Sequence, residues 1–148
     1  MDRSAGIVII RYFKDEPKIL CLKAYSSYDL PKGHIEEDES TLEAALRETT
    51  EEAGITDIEF MWGRDAVQVT NTGRRKKQVT MFVAVTAQDA HLRKNPETGR
   101  YEHHAIKWMT FDEAESSVHP YLRPAVSWAR KKLEANPEAW RSFRSNLR

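Results

Sequence analysis

The chain has 148 residues, and its 23 lysines and arginines are balanced by 23 aspartates and glutamates. This length suits one domain with its own apolar core. The net charge of zero excludes a whole-molecule attraction to nucleic acid or membrane. No apolar stretch approaches the roughly 20 residues that cross a bilayer. Because Cys21 is the only cysteine and residues 1–10 do not read as a signal peptide, we expect a reducing cytoplasm.

Two apolar segments near the N-terminus predict a pair of strands. Residues 5–13 and 18–25 are rich in Ile, Val, Leu and aromatic residues, and residues 14–17 between them indicate a turn. Residues 29–39 contain a proline, a glycine and several acids without any periodicity, which predicts a loop.

A helix is predicted directly after this loop. Ser40 and Glu43 form a capping-box pattern, in which each side chain accepts a backbone N–H of the other residue. Apolar residues then recur at helical spacing and predict a helix over residues 40–53. Gly54 can take the left-handed conformation that ends it.

The second half of the chain predicts more strands and then helices. Strands are predicted over residues 58–70, 78–86 and 104–109, and helices over residues 111–116 and 120–135. No repeat or linker indicates a second domain. We therefore expect one α+β domain over residues 1–148, a mixed sheet packed between helices, with a helical C-terminal segment from about residue 120.

An apolar pattern continues close to the end of the chain. Trp140, Phe143 and Leu147 fall at helical spacing among basic residues. We expect them to pack against the domain, and a docking helix or a dimer contact is the alternative.

Three glutamates project from one side of the predicted helix. Glu48 and Glu52 are four residues apart, and Glu51 follows Glu48 by three. Their mutual repulsion, about a few tenths of a kcal/mol per pair, is tolerable on a solvated face. A divalent cation would turn the repulsion into a binding site, since magnesium joins carboxylates to substrate phosphates. Just upstream, Lys32 offers a cation and Gly33 lets the backbone approach a ligand closely.

Gly33, Glu39 and the run from Arg47 to Gly54 resemble the signature of the Nudix hydrolases in residue type and spacing. Thr49 departs from the pattern, which has a bulky aliphatic there, although threonine also suits a packed helix face. The resemblance implies the Nudix fold, an α/β/α sandwich, with Mg²⁺ or Mn²⁺ as cofactor. It also implies hydrolysis of a pyrophosphate linkage, in which the metal activates a water that attacks phosphorus.

The same resemblance implies roles for individual residues. The expected metal ligands are Glu48, Glu51, Glu52, Glu102 and the backbone carbonyl of Lys32. The expected catalytic residues are Glu51 as the favoured general base, Glu102 as its rival, and Arg47, which holds the glutamates by ion pairing. Gly33, Glu39 and Gly54 are expected to shape the motif.

Two runs, residues 29–36 and 102–108, resemble the asymmetrical diadenosine tetraphosphate hydrolases within that family. In that branch Lys32 and Gly33 would meet substrate, and Glu102 would lie at the metal site. His103 and His104 are interpreted as ordinary strand residues.

The branch usually has a tyrosine that stacks on adenine beyond the signature, and residues 70–73 contain none. Tyr28, Trp62 and Tyr101 are alternative stacking residues, although an aromatic residue near a strand more often packs in the core. The missing tyrosine leaves the dinucleotide specificity open.

Four consecutive cations follow the predicted hairpin turn: Arg74, Arg75, Lys76 and Lys77. They suit a solvated loop, or else a substrate-binding grip on a highly phosphorylated molecule, as in the diphosphoinositol polyphosphate branch. Removal of a pyrophosphate from the 5′ end of RNA, nucleoside triphosphate hydrolysis and a catalytically silent ligand-binding module are further alternatives. Our leading expectation is a small phosphorylated substrate, diadenosine tetraphosphate cleaved to ATP and AMP, with no stable nucleic-acid partner and the oligomeric state left open.

Overall fold

The longest strand, β1 (Asp2–Phe13), lies at the centre of a mixed sheet in a computed structural model that describes residues 2–145. The other strands are β2 (Glu16–Ala24), β3 (Ser27–Asp29), β4 (Lys32–His34), β5 (Val67–Asn71), β6 (Lys77–Val85) and β7 (Ala105–Met109). The helices are α1 (Thr41–Ala53), α2 (Phe111–Ser117), α3 (Arg123–Ala135) and α4 (Ala139–Ser145), and a short 3-10 helix at Pro120–Leu122 precedes α3.

Strand β1 is paired along both of its edges. It runs parallel to β6, from Asp2 opposite Lys77 to Ile10 opposite Val85. Its other edge pairs antiparallel with β4 and, further along, with β2. Strand β2 continues the sheet to β3 and β7, and β6 continues it to β5. The expected mixed sheet is confirmed.

The helices cover both faces of this sheet. In β1, Ile7 and Ile9 belong to the apolar cluster that includes the alanines of α1. Val8 and Ile10 belong to the opposite cluster, which includes residues of α2 and α3. Because successive strand residues face opposite sides, a strand buried on both faces reads as a continuous apolar run. This explains the unbroken apolar sequence in β1.

Helix α1 begins and ends as the sequence predicts. Ser40 accepts the backbone N–H of Glu43, and the Glu43 carboxylate accepts that of Ser40, so the capping box is present. Gly54 ends the helix at φ 70° and donates to the carbonyl of Thr50. Thr49 is fully buried and donates its hydroxyl to the carbonyl of Ala45, so it fits the packed face.

Two segments differ from the expectation. The predicted strand over residues 58–70 is shortened to β5, because the chain turns at Gly63, whose φ of 97° suits glycine. Before that turn only Glu59 forms a bridge, to Val85. The predicted loop over residues 29–39 contains the short strand β4, which pairs with β1. The sequence did not predict this strand because Pro31 and Gly33 are typical of a loop.

The C-terminal helices differ from the expected single helix over residues 120–135. The structure has two helices in place of this single one: the 3-10 helix comes first, and α3 begins at Arg123. The additional helix α4 packs on the domain: the Trp140 ring stacks on Tyr12 at 4.9 Å, and Phe143 is buried. Leu147 lies outside the described residues. Within residues 2–145, no helix is both long and apolar enough to span a membrane.

Candidate active site

A cavity of about 460 Å³ opens beside helix α1 and strand β4. Its acidic lining includes Glu48, Glu51 and Glu52 from the helix and Glu102 from the loop before β7. The three helix glutamates share one side of α1 because residues three and four apart are neighbours on a helix surface. The fold therefore adds acids from other segments, Glu102 among them, to the three that the motif brings together.

Arg47 ties the helix to the loop before it. Its guanidinium donates to both carboxylate oxygens of Glu39, at 2.7 and 3.0 Å, and to the backbone carbonyl of His34 at 2.8 Å. It also donates to Glu48 at 2.8 Å and to Glu51 at 3.2 Å. The bonds from Arg47 to Glu39 lower the pKa of the Glu39 carboxylate. One arginine thus orients three acids of the motif.

Glu39 in turn fixes the loop. Its Oε1 accepts the backbone N–H of Glu36 at 3.0 Å while both oxygens hold Arg47. Glu39 is absent from the residues that line the cavity. This placement fits the structural role expected for it.

Gly33 lies directly against the carboxylate of Glu48. A methyl group on its Cα would overlap the carboxylate of Glu48. A residue with a Cβ would displace this carboxylate from the position in which Arg47 donates to it. The signature glycine therefore lets the backbone of β4 approach a glutamate of α1.

Glu52 is the buried acid of the site. It is 8% exposed, and its Oε1 accepts the backbone N–H of Lys32 at 3.1 Å. Burial, and then the nearby charge of Asp29, raise the pKa of Glu52 well above its ordinary value. The buried carboxylate therefore lacks a full counter-charge.

The donor set fits a divalent cation. Ligand atoms of Glu52, Glu102 and His103 lie within 4.8 Å of one another. Carboxylate oxygens suit Mg²⁺ and Mn²⁺, and a cation placed among them would supply the counter-charge that Glu52 lacks. Glu102 is also oriented, since Asn95 donates to its Oε1 at 2.6 Å.

The structure adds residues that the sequence analysis missed. His103 is buried ahead of β7, not within it, and its Nε2 lies 3.4 Å from Asp29 Oδ2. The Lys32 ammonium is 3.2 Å from Asp29 Oδ1. Although burial opposes ionisation, the bond from His103 and the charge of Lys32 lower the pKa of Asp29. Arg93 and Asn95 also line the cavity.

The sequence did contain a signal for two of these residues, Asp29 and His103. Asp29 lies in the run over 29–36, and His103 lies in the run over 102–108, both of which carried the resemblance. For Arg93 and Asn95 no pattern in the sequence marked the position.

The four cations of the β5–β6 turn divide into two groups. Lys77 is half-buried and lines the cavity, where burial and then the nearby Lys32 lower its pKa. Arg74, Arg75 and Lys76 are exposed and are not part of the lining, and Arg75 lies 4.0 Å from Asp2. Substrate binding by these three stays a prediction.

The three candidate stacking residues also lie in different places. Trp62 is buried in the core, and Tyr28 packs against the same cluster. Tyr101 is 52% exposed beside Glu102. Core packing, the more common role, therefore holds for two of the three.

Comparison with known proteins identifies the class. The model of the NUDIX domain matches residues 2–131, so the chain belongs to the NUDIX domain family. The family resemblance carried by residues 33–54 is confirmed.

Individual relatives are more specific. The chain is 36% identical over 87 residues to a rat (Rattus norvegicus) protein named bis(5′-nucleosyl)-tetraphosphatase [asymmetrical], covering 57% of this chain and 56% of that protein. It is 30% identical over 118 residues to the mitochondrial Nudix hydrolase 16 of Arabidopsis thaliana, covering 73% of this chain and 64% of that protein. The chain thus spans little more than half the length of the curated relatives it matches.

A solved structure extends the similarity over nearly the whole fold. The binary complex of the C. elegans Ap4A hydrolase matches with a TM-score of 0.71 at 25% identity. The match covers 91% of this chain and 96% of that one.

Proposed function

We propose that this protein is a divalent-metal-dependent pyrophosphohydrolase that cleaves dinucleoside polyphosphates, diadenosine tetraphosphate to ATP and AMP. One observation carries the proposal: glutamates from α1 and from the loop before β7 meet cations that include Lys32, Lys77 and Arg93 around one cavity. Acids beside cations suit a metal together with an anionic phosphate chain. The names of the rat and C. elegans relatives support this substrate class.

The acids would hold the metal, with Mg²⁺ or Mn²⁺ as the ion. Glu48, Glu51, Glu52 and Glu102 would supply the side-chain oxygens, and those of Glu52 and Glu102 lie within 4.8 Å of each other. The backbone of Lys32 lies beside Glu52. When bound, the cation would offset charge on the phosphate oxygens and activate a water for attack on phosphorus. Arg47 keeps Glu48 and Glu51 oriented while this happens.

A carboxylate must take the proton of the attacking water. Glu51 is the favoured base, because it lines the cavity and its side chain is 36% exposed against 14% for Glu48. Arg47 pairs with one of its carboxylate oxygens at 3.2 Å, which leaves the other oxygen for a water. Glu102 is the rival base, since it too is exposed in the lining.

The cations would hold the phosphate chain. Lys32 is fixed by Asp29, so its ammonium is preorganised, whereas Lys77 and Arg93 line the same cavity from other elements. A phosphate next to Lys77 would offset the repulsion from Lys32. The proposal also takes residues 1–148 as one domain located in the cytoplasm.

The test is product analysis after incubation with Mg²⁺. Diadenosine tetraphosphate, a diphosphoinositol polyphosphate and a nucleoside triphosphate pool are supplied separately. We expect ATP plus AMP from the first. Glu52→Gln should lower the rate at least about 100-fold, as loss of a metal ligand should exceed the 10- to 100-fold cost of outer-shell changes. The control Glu37→Gln, at an exposed glutamate outside the lining, should keep full activity.

The other outcomes each overturn part of the proposal. Turnover of the inositol substrate alone would give the substrate role to the exposed cations of residues 74–76. Binding without turnover of any substrate, with Mg²⁺ or Mn²⁺, would make the protein a ligand-binding module.

A further inference from the structure

Two tyrosines are exposed to a degree that is unusual for large apolar side chains. Tyr25 is 85% exposed and Tyr101 is 52% exposed, and no other large apolar side chain in the described part of the chain is comparably exposed. Both line one surface cavity of about 590 Å³, together with His104. Adjacent exposed apolar side chains mark a site of interaction more often than an isolated one does.

The chain holds these rings in place. Tyr25 is the first residue of the two-residue turn between β2 and β3, and its φ of 56° is the conformation that such a hairpin turn requires. The His104 ring meets Tyr25 edge-on at 5.5 Å, and the His104 backbone donates to the carbonyl of Lys23 at 2.7 Å. The ammonium of Lys94 lies 5.8 Å from the ring of Tyr101.

This surface adjoins the candidate active site. Glu102 lines both cavities, and Tyr101 directly precedes it in the chain. Ala24 lines the active-site cavity, and Tyr25 directly follows it. A ligand whose phosphates lie in the active-site cavity would therefore place the group attached to those phosphates against Tyr25 and Tyr101.

We propose that Tyr25, Tyr101 and His104 form a stacking platform for a nucleobase of the substrate. This inference rests on the proposed function and deepens it, because it places a base subsite away from residues 70–73. Every nucleobase has a flat π face, and stacking on aromatic rings tolerates different bases. Arg100 and Thr98 in the same lining offer polar groups to the base edge. The platform therefore selects nucleotides over base-free polyphosphates more strongly than it selects one base.

The experiment compares two ligands by calorimetry in the presence of Mg²⁺. One is a non-hydrolysable, methylene-bridged analogue of diadenosine tetraphosphate, and the other is inorganic tripolyphosphate, which has no base. Tyr25→Ala and Tyr101→Ala should each weaken binding of the analogue about tenfold, as loss of one stacking contact does. Affinity for tripolyphosphate should stay within about twofold of the unmodified protein.

The conservative variants Tyr25→Phe and Tyr101→Phe keep the ring and should keep the affinity. Both positions are exposed, and the thermal midpoint of each variant checks that the fold is intact. Equal losses for both ligands, unchanged analogue binding in the alanine variants, or no analogue binding by the unmodified protein would each overturn the platform. Absence of turnover in the unmodified protein would instead overturn the proposed function, so the two failures are separable.

Discussion

The backbone N–H of Lys32 donates a hydrogen bond to Glu52 Oε1 at 3.1 Å, which joins β4 to the last turn of α1. One end of this bond is a buried carboxylate, and the other lies in the strand that carries Gly33. A substitution that removes the Glu52 carboxylate therefore also removes a hydrogen bond from β4.

The first prediction concerns thermal stability with and without metal. Mg²⁺ or Mn²⁺ should raise the thermal midpoint of the unmodified protein, because a ligand at 100 times its Kd stabilises the folded state by about 2.7 kcal/mol. Glu52→Gln should lose most of this rise, since it removes a buried ligand. Differential scanning calorimetry with EDTA or with metal checks both. An equal rise in the variant would remove Glu52 from the metal site.

Gly33→Ala should disrupt the site although it changes no charged residue. The new methyl group would overlap the carboxylate of Glu48, so this carboxylate would have to leave its present position and its bond to Arg47. We expect at least about a 10-fold loss of Mn²⁺ affinity, the range that follows when metal ligands lose their support. Mn²⁺ binding followed by electron paramagnetic resonance checks it.

Gly73→Ala is the matched control for that change. Gly73 lies in the exposed β5–β6 turn, and its added methyl group would meet only the side-chain oxygen of Asn71, at 3.3 Å. Mn²⁺ affinity should be unchanged there. If both variants bound Mn²⁺ like the unmodified protein, the close approach of Gly33 to Glu48 would have no role in the site.

Arg47→Lys should be costly although it keeps the charge. Lysine cannot reproduce the paired bonds from one guanidinium to Glu39 together with those to Glu48 and Glu51. We expect a 10- to 100-fold loss in kcat/KM, about the cost of removing an orienting partner of a metal ligand. Steady-state kinetics with diadenosine tetraphosphate measures it.

Arg130→Lys is the control for the arginine. Arg130 also bridges several acids, among them Asp112 and Glu134, but on the surface formed by α2 and α3. Surface ion pairs contribute about 0–1 kcal/mol, so activity should not change. Equal effects at the two positions would show a general loss of stability instead of a lost orientation of the glutamates.

The sequence predicted the α1 part of the site well, because its residues are related locally. Spacings of three and four on one helix place Glu48, Glu51 and Glu52 together whatever the rest of the fold does. The residues that the sequence missed come from distant segments. His103 reaches the cavity because β7 pairs with β2, with Ala105 opposite Lys23, and such a register cannot be read from local periodicity.

There is also a physical reason why the sequence did not predict strand β4. Strand β4 has three residues, with Pro31 before it and Gly33 inside it, so its sequence carries the marks of a loop. It is a strand because β1 offers a free edge at Ser4–Gly6. Gly6 has no room for a side chain against the carbonyl of Pro31, so this pairing depends on a glycine in β1 as well.

Cys21 should be unreactive in the folded protein. It is fully buried in β2, and burial raises the pKa of its thiol to about 12 from 9.0. Because the thiolate is the reactive form, a disulfide reagent at pH 8 should modify Cys21 only after unfolding. Stopped-flow absorbance with and without denaturant checks this, and rapid modification of the native protein would contradict it.

The raised pKa of Cys21 also makes the free energy of unfolding depend on pH. The folded-state pKa of Cys21 is raised, so its contribution is fully present below pH 9.0 and is lost as pH rises towards about 12. In that window the unfolded chain ionises its thiol while the folded chain does not. Cys21→Ala should therefore make the free energy of unfolding fall less steeply above pH 9.0, as urea titrations at several pH values would show.

Lys76 and Lys77 are neighbours in the chain but differ in their place relative to the cavity. Lys77 is half-buried in its lining, whereas Lys76 is exposed and outside it. Lys77→Ala should raise the KM for diadenosine tetraphosphate about tenfold or more, because a hydrogen bond to a charged group contributes about 1.5–3 kcal/mol. Lys76→Ala should leave KM nearly unchanged at 0.15 M salt, where exposed charges are screened beyond about 8 Å. Equal increases for both would mean that the whole run of residues 74–77 holds the substrate, which would favour the more highly phosphorylated inositol compounds.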